Sequence, residues 1–223
     1  MAKRSLVILD LDDTLFSEAT YLFSVVQKYL ISNGSGVSVP SEFEDRIVLL
    51  RREREDILGA ILHDLNLDRT VHHEALFEEY CTHTSLIEPF DGVNEFVNQL
   101  LDLNFRIVVL TNGVVDSQRS KWDALNISRK HEIVFFTARS LGGDKPNEET
   151  FEHVLSDSGF RWDQVIVVGD KFENDIRYPV SQGAAGYLIQ KNCKDKSQID
   201  GNIERVVNIK ELTDLLNQVG FDV

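Results

Sequence analysis
Leu6-Val7-Ile8-Leu9-Asp10-Leu11-Asp12-Asp13-Thr14-Leu15-Phe16 is an apolar run that breaks off into acids. A short continuous apolar run reads as a strand buried on both faces of a parallel sheet. In an open α/β sheet, ligands bind beyond the carboxyl ends of the strands, and Asp10 stands at such an end. Asp12 follows two residues on, so an extended backbone points both carboxylates the same way. Crowded carboxylates repel unless a proton or a cation lies between them. The stretch suggests a metal, a proton-transfer pair or both. Taken alone, it also fits a strand followed by an acidic turn that caps the next helix.

Outward from this stretch, residues 17–88 carry helical patterning and no strand pattern. Ala19, Leu22, Phe23, Val26, Tyr29 and Leu30 recur at helical spacing over 17–35, where Asn33-Gly34-Ser35-Gly36 stops the helix. Ser41 followed by Glu44 reads as a capping box. It opens one long helix from Pro40 through Ile47, Leu50, Ile57, Leu58, Ile61 and Leu62 to Leu65. A third helix is expected over His72–Thr84. After Pro89 helices alternate with apolar strands. The strands are expected at Arg106–Leu110, Ile133–Phe136, Gln164–Val168, Ala184–Ile189 and Arg205–Ile209. Such alternation implies right-handed βαβ units and a parallel sheet covered on both faces. The expected fold is α/β: a Rossmann-like parallel-sheet core from 1–16 and 89–223, interrupted by an inserted all-α cap, 17–88. The cap leaves the core just past Asp12 and is expected to act as a lid.

The chain's 223 residues suffice for one good core and a smaller accessory unit. The formal charge of -14 argues against nucleic acid or an anionic membrane surface as a partner. An anionic substrate is compatible only if the site carries its own positive charge. Cys81 and Cys193 make neither a disulfide framework nor a zinc-ligand spacing. No apolar run has the length of a signal-peptide core or a membrane span, so the expectation is a cytoplasmic protein.

Further polar residues fall at strand ends. Thr111-Asn112-Gly113 suits oxyanion binding through a hydroxyl and backbone N–H groups, though either polar residue also fits a helix cap. Lys145 stands in Gly142-Gly143-Asp144-Lys145-Pro146-Asn147, and Val165-Ile166-Val167-Val168-Gly169-Asp170 repeats the opening theme, with Asp175 five residues on. Acids from two strand ends can hold a hard cation such as magnesium through oxygen. The cation and Lys145 would neutralise a phosphoryl group that carboxylates otherwise repel, with Thr111 on a remaining oxygen. That is equipment for phosphoryl transfer.

Asp10-Leu11-Asp12-Asp13-Thr14, Thr111-Asn112-Gly113, Lys145-Pro146 and Gly169-Asp170 through Asp175 resemble the ordered motifs of the haloacid dehalogenase superfamily. The insert resembles the family's helical cap of the first type. The wording Asp-Leu-Asp-Asp-Thr-Leu-Phe is similar to the phosphatase branch with 5'-nucleotidase-like and N-acylneuraminate-9-phosphatase-like members. The resemblance implies an Mg2+-dependent hydrolase of a small phosphate ester. It makes Asp10 the nucleophile of an aspartyl phosphate and Asp12 the acid and base, whose backbone carbonyl also binds the metal. It makes Thr111 and the Asn112 N–H the phosphoryl contacts, Lys145 the charge stabiliser, Asp170 a metal ligand, and Asp175 a ligand direct or through water. The acid at Asp12 speaks for phosphate esters over the dehalogenases, which lack it.

Other chemistries find no support. Neither cysteine has the following arginine of a cysteine phosphatase, and there is no Gly-x-Ser-x-Gly elbow or P-loop. A sugar phosphomutase, or a binding or regulatory protein on the same scaffold, remains an alternative. Substrate choice would fall to the cap, with Glu18, Tyr21, Arg51, Arg52 and Arg54 as candidates. Arg51-Arg52-Glu53-Arg54-Glu55 otherwise reads as a solvated helix face. His63, His72, His73 and His83 are expected at the surface rather than on a metal. A monomer or homodimer is expected.

Overall fold
The computed structural model describes residues 6–34, 39–53, 56–190 and 203–219. Ser35, Gly36, Arg54, Glu55 and Cys193 lie outside the described residues. Among the described residues the strands are β1 (Leu6–Leu9), β2 (Arg106–Thr111), β3 (Val134–Thr137), β4 (Val165–Gly169), β5 (Ala185–Ile189) and β6 (Ile203–Val206). They form one parallel sheet in the order β3-β2-β1-β4-β5-β6. This is a doubly wound Rossmann-like α/β fold. Its strand order reverses beside β1, which pairs with both β2 and β4, so a crevice is expected at their carboxyl ends. Register carries the argument further. Leu9 pairs with Val109 and with Val168, so Asp10 emerges level with the ends of both neighbours.

The central strands are buried throughout, as continuous apolar runs require. The helices on the sheet follow from their patterns. In α5 (Val93–Asp102), Val93, Phe96, Val97 and Leu100 are buried at helical spacing. In α7 (Glu148–Ser158), Asn147 accepts a bond from the Glu149 N–H at the start, and Gly159 ends the helix in the left-handed region. Gly186 lets α8 (Arg177–Ser181) pack close on β5, since a Cβ there would stand 2.7 Å from side chains of both Ile176 and Val180. In α9 (Ile209–Val219), Ile209, Leu212 and Leu216 are buried.

The chain divides into two compact units. Met1–Phe16, Glu88–Val115 and Leu125–Val223 form the sheet unit; Ser17–Ile87 and Asp116–Ala124 form the helical unit. The helical unit holds α1 (Glu18–Ser32), α2 (Phe43–Glu53), α3 (Ile57–Asp64), α4 (Arg69–Thr82) and nearly all of α6 (Val115–Ala124). Its apolar core includes Leu22, Val26, Ile47, Ile61, Leu62 and Leu76. The α6 segment is tied into it by Ser120 Oγ donating to the Cys81 carbonyl at 2.7 Å, the Ile87 N–H donating to the Ala124 carbonyl at 3.0 Å, and Lys121 Nζ donating to Glu18 Oε1 at 2.6 Å.

Several local expectations need correction. The helix expected from Pro40 to Leu65 is two helices. Asp56 takes the Gly59 N–H at 3.0 Å and starts α3 afresh, a local side-chain bond that competes with continuation of the helix. The Ser41–Glu44 capping box does not form: Ser41 Oγ donates to Glu42, Glu44 accepts from Thr20 Oγ1, and the helix begins at Phe43. α4 begins at Arg69 rather than His72, because Asp68 accepts from the Thr70 N–H at 2.8 Å. β6 starts two residues earlier than expected and ends at Val206 rather than Ile209. Ile203 and Val206 are buried, while Asn208 takes the Glu211 N–H at 2.8 Å and turns Ile209 into the start of α9. Arg51 is not on a solvated face; it donates to Glu18 in a largely buried pair. His83 is fully buried rather than at the surface, between Ser24 Oγ at 3.0 Å and Glu79 Oε1 at 2.9 Å. No described helix is long and apolar enough to cross a membrane.

Candidate active site
Two strand ends, those of β1 and β4, and the loops after them bring the acids together. Asp10 follows β1, where its N–H donates to the Val168 carbonyl of β4 at 2.9 Å. Asp170 follows β4. Asp175 comes from a wide helical turn, Phe172–Ile176, and its side chain folds back: Oδ2 accepts from the Lys171 N–H at 3.0 Å. The glycine at 169 permits this approach, since a Cβ there would lie 2.5 Å from the Asp175 Cβ. Asp10, Asp170 and Asp175 each offer a carboxylate oxygen within 4.8 Å of the others.

Lys145 reaches into this group from the loop after β3. Its Nζ donates to Asp10 Oδ1, Asp175 Oδ1 and the Leu110 carbonyl, each at 2.7 Å. Asp10, Lys145 and Asp175 are all buried. Thr14 Oγ1, also buried, lies 3.3 Å from Asp10 Oδ2. Removing such a cation from beside two buried carboxylates costs several kcal/mol.

Burial pushes the Asp10 carboxyl up to about 8; Lys145 opposes the rise, and the Asp175 and Asp170 carboxylates add to it. Burial likewise raises Asp170 to about 6, against the pull of Lys171. Burial alone would lower the Lys145 ammonium, but Asp10 and Asp175 outweigh it and hold the group above its ordinary value. The site is short of positive charge. Asp170 Oδ1 is buried and has no hydrogen-bond partner, which is unusual for a buried carboxylate. A divalent cation fits this donor set: it would satisfy that oxygen and favour the ionised form of Asp10.

A small pocket of ≈ 40 Å³ opens at these residues, lined by Asp10, Asp12, Thr111, Asn112, Lys145, Lys171, Asn174 and Asp175. Asp12 lines the pocket, but its carboxylate is not part of the three-acid cluster. Thr111, at the end of β2, is buried. The Asn112 side chain is engaged with Lys145: its Nδ2 donates to the Lys145 carbonyl at 2.8 Å, and its Oδ1 accepts from the Lys145 N–H at 2.7 Å. All seven sequence-predicted site residues are thus at or beside this pocket. Thr14, Lys171 and Asn174 also belong to the site; each lies inside a motif stretch, where no local pattern distinguishes it from a capping or solvated polar residue.

The model of the haloacid dehalogenase-like hydrolases matches residues 7–184. The chain belongs to this hydrolase family. A glyceraldehyde 3-phosphate phosphatase of Methanocaldococcus jannaschii is 20% identical, with 97% of this chain and 98% of the relative covered. A relative of the same name from Methanothermobacter thermautotrophicus is 23% identical, over 94% of this chain and 96% of its own length. The chain is therefore an enzyme of the haloacid dehalogenase-like hydrolases, similar over nearly its whole length to relatives named as phosphatases. A hydrolase of the family from Bacillus subtilis, solved bound to magnesium, shares the fold with a TM-score of 0.67 at 16% identity, covering 97% of this chain and 100% of that one. Among the described residues, the acids Asp10, Asp170 and Asp175 are the only cluster with metal-ligand character; the histidines of the helical unit do not form one.

Proposed function
We propose that the chain is an Mg2+-dependent phosphomonoesterase acting on a small phosphorylated metabolite, such as a sugar phosphate or nucleotide, through an aspartyl phosphate on Asp10. The observation that carries this reading is the acid trio of buried Asp10 and Asp175 and half-buried Asp170, with Lys145 donating to the first two and one buried Asp170 oxygen unsatisfied.

In this reading an Asp10 carboxylate oxygen attacks phosphorus, and the ester oxygen leaves with a proton from Asp12. Asp12 then takes a proton from water as that water attacks phosphorus. Inorganic phosphate departs and Asp10 is regenerated. Lys145 and the Thr111 hydroxyl hold charge on the phosphoryl oxygens, helped by the Asn112 N–H. Asp10, Asp170, the Asp12 carbonyl and Asp175, the last directly or through water, would hold Mg2+, which when bound supplies positive charge to the phosphoryl group. These residues handle the phosphoryl group alone, so the choice of leaving group falls to others.

The test is phosphate release from a panel of monoesters with magnesium and with excess chelator. The relatives' names make glyceraldehyde 3-phosphate the first ester to try, beside nucleoside monophosphates, hexose phosphates, sialic acid 9-phosphate and phosphoglycolate. Magnesium-dependent release from one or more is the expected result. Release undiminished in chelator would remove the metal. No release, with phosphoryl transfer to a sugar instead, would replace hydrolysis by a mutase reaction.

A further inference from the structure
We infer that the side chain of Asn112 is a positioning residue that sets the reach of Lys145, rather than a substrate contact. The inference rests on the function proposed above only for its kinetic readout.

The amide at 112 makes a closed pair of bonds to the backbone of one residue, with Nδ2 on the Lys145 carbonyl at 2.8 Å and Oδ1 on the Lys145 N–H at 2.7 Å. A side-chain amide used this way imitates one rung of a sheet ladder. A second bond returns from the same loop: the Gly113 N–H donates to Asp144 Oδ1 at 3.3 Å, while Asp144 Oδ2 accepts from Arg139 Nε at 2.9 Å. The loops after β2 and β3 are therefore clasped reciprocally, two residues from each. β3 pairs with β2 only as far as Thr111 and Thr137. Beyond that point the ladder has ended, and these side chains continue the tie.

What the clasp holds is the root of Lys145, whose Nζ must meet Asp10, Asp175 and the Leu110 carbonyl at once. A lysine has four rotatable side-chain bonds and substantial rotamer freedom. Fixing its backbone on both sides of Cα shortens the list of places the ammonium can occupy. Misplacement of a charge-stabilising group by about an ångström costs on the order of a hundredfold in rate. Oδ1 and one of the two Nδ2 hydrogens are taken up by this pair, so the orientation of the amide is set by the Lys145 backbone and not by a ligand.

The experiment compares wild type with Asn112→Ala and Asn112→Asp. The aspartate keeps the size and the acceptor but sets a carboxylate against the Lys145 carbonyl. Two readouts are taken. The first is competitive labelling of lysines by an amine-acylating reagent, read peptide by peptide, with the exposed Lys28 and Lys210 as internal controls. The second is kcat and KM on the best ester, repeated in a Lys145→Ala background. Both variants are expected to raise Lys145 labelling several-fold with the controls unchanged. They should lower kcat about ten- to a hundredfold with KM within threefold, and add little to the loss already caused by Lys145→Ala. Unchanged Lys145 labelling in both variants would overturn the inference, as would a rise in KM alone with kcat kept. Should the wild type hydrolyse no ester, the proposed function fails, and the labelling still decides the role of Asn112.

Discussion
Two charge clusters, one in each unit, are each built around a buried lysine and differ in how their carboxylates are satisfied. In the helical unit Glu18 is covered on both oxygens. Oε1 accepts from Lys121 Nζ at 2.6 Å and from the Tyr80 hydroxyl at 3.1 Å, and Oε2 accepts from Arg51. Lys121, fully buried, also stands 5.3 and 5.0 Å from the ring centres of Tyr21 and Tyr80, within cation–π range. In the sheet unit one lysine serves two carboxylates, and a third, Asp170, keeps an unpartnered oxygen. Burial of charge is common to both. Only the sheet cluster leaves a demand for a cation unmet, and that demand marks a site of chemistry. A buried pair that is fully covered contributes architecture.

The comparison breaks most readily at its most reactive member. Asp10→Asn should cut phosphate release at least about a thousandfold while the circular-dichroism spectrum and melting transition persist; normal turnover in this variant would remove Asp10 as nucleophile. Asp12→Asn comes next. Steady-state rates on alkyl esters should fall by roughly a hundredfold to ten-thousandfold, and the first chemical step on an aryl ester by much less, because a good leaving group needs no proton. An equal loss of that step on both substrates would assign Asp12 a positional role only.

The helical cluster is probed through stability. Glu18→Gln leaves two cations facing a neutral amide and should cost roughly 3 kcal/mol, seen as several degrees of Tm. If Tm is unmoved, the cluster is not structural and the contrast between the units fails. The finest test uses magnesium itself. Magnesium at a hundred times its Kd should stabilise wild type by about 2.7 kcal/mol. Glu18→Gln should keep that increment from its lower starting point, and Asp170→Asn should lose most of it. An increment retained in Asp170→Asn would move the metal away from Asp170.

The two clusters also differ in how visible they were in the sequence. Asp10, Thr111 and Asp170 each close or follow a strand whose apolar run is continuous, so β1, β2 and β4 and their polar ends could be read from local pattern alone. That the sheet is parallel then follows from the alternation of helices and strands, whereas its strand order comes only from the fold. The Glu18–Lys121 pair joins residues 103 apart in sequence, and no local period announces it. Its arginine partner sat in a charged run that pattern assigns to solvent. The break before α3 was hidden for a related reason: Asp56 ends one helix and starts another by a single side-chain bond, while the apolar spacing runs on through it. Asn112 was legible as a polar residue at a strand end, but its hold on the Lys145 backbone depends on two loops meeting, which only the fold supplies.

The measurement that goes most directly to the centre is the identity of the phosphorylated residue. Asp12→Asn enzyme, slowed in hydrolysis of its intermediate, is mixed with an aryl phosphate and magnesium, quenched, digested and mapped by mass spectrometry. A single phosphoryl group on the peptide bearing Asp10, absent when chelator replaces magnesium and absent in an Asp10→Asn, Asp12→Asn double variant, is the predicted result. A phosphoryl group on another residue, or phosphate release with none on Asp10 while Asp10→Asn turns over normally, would contradict it.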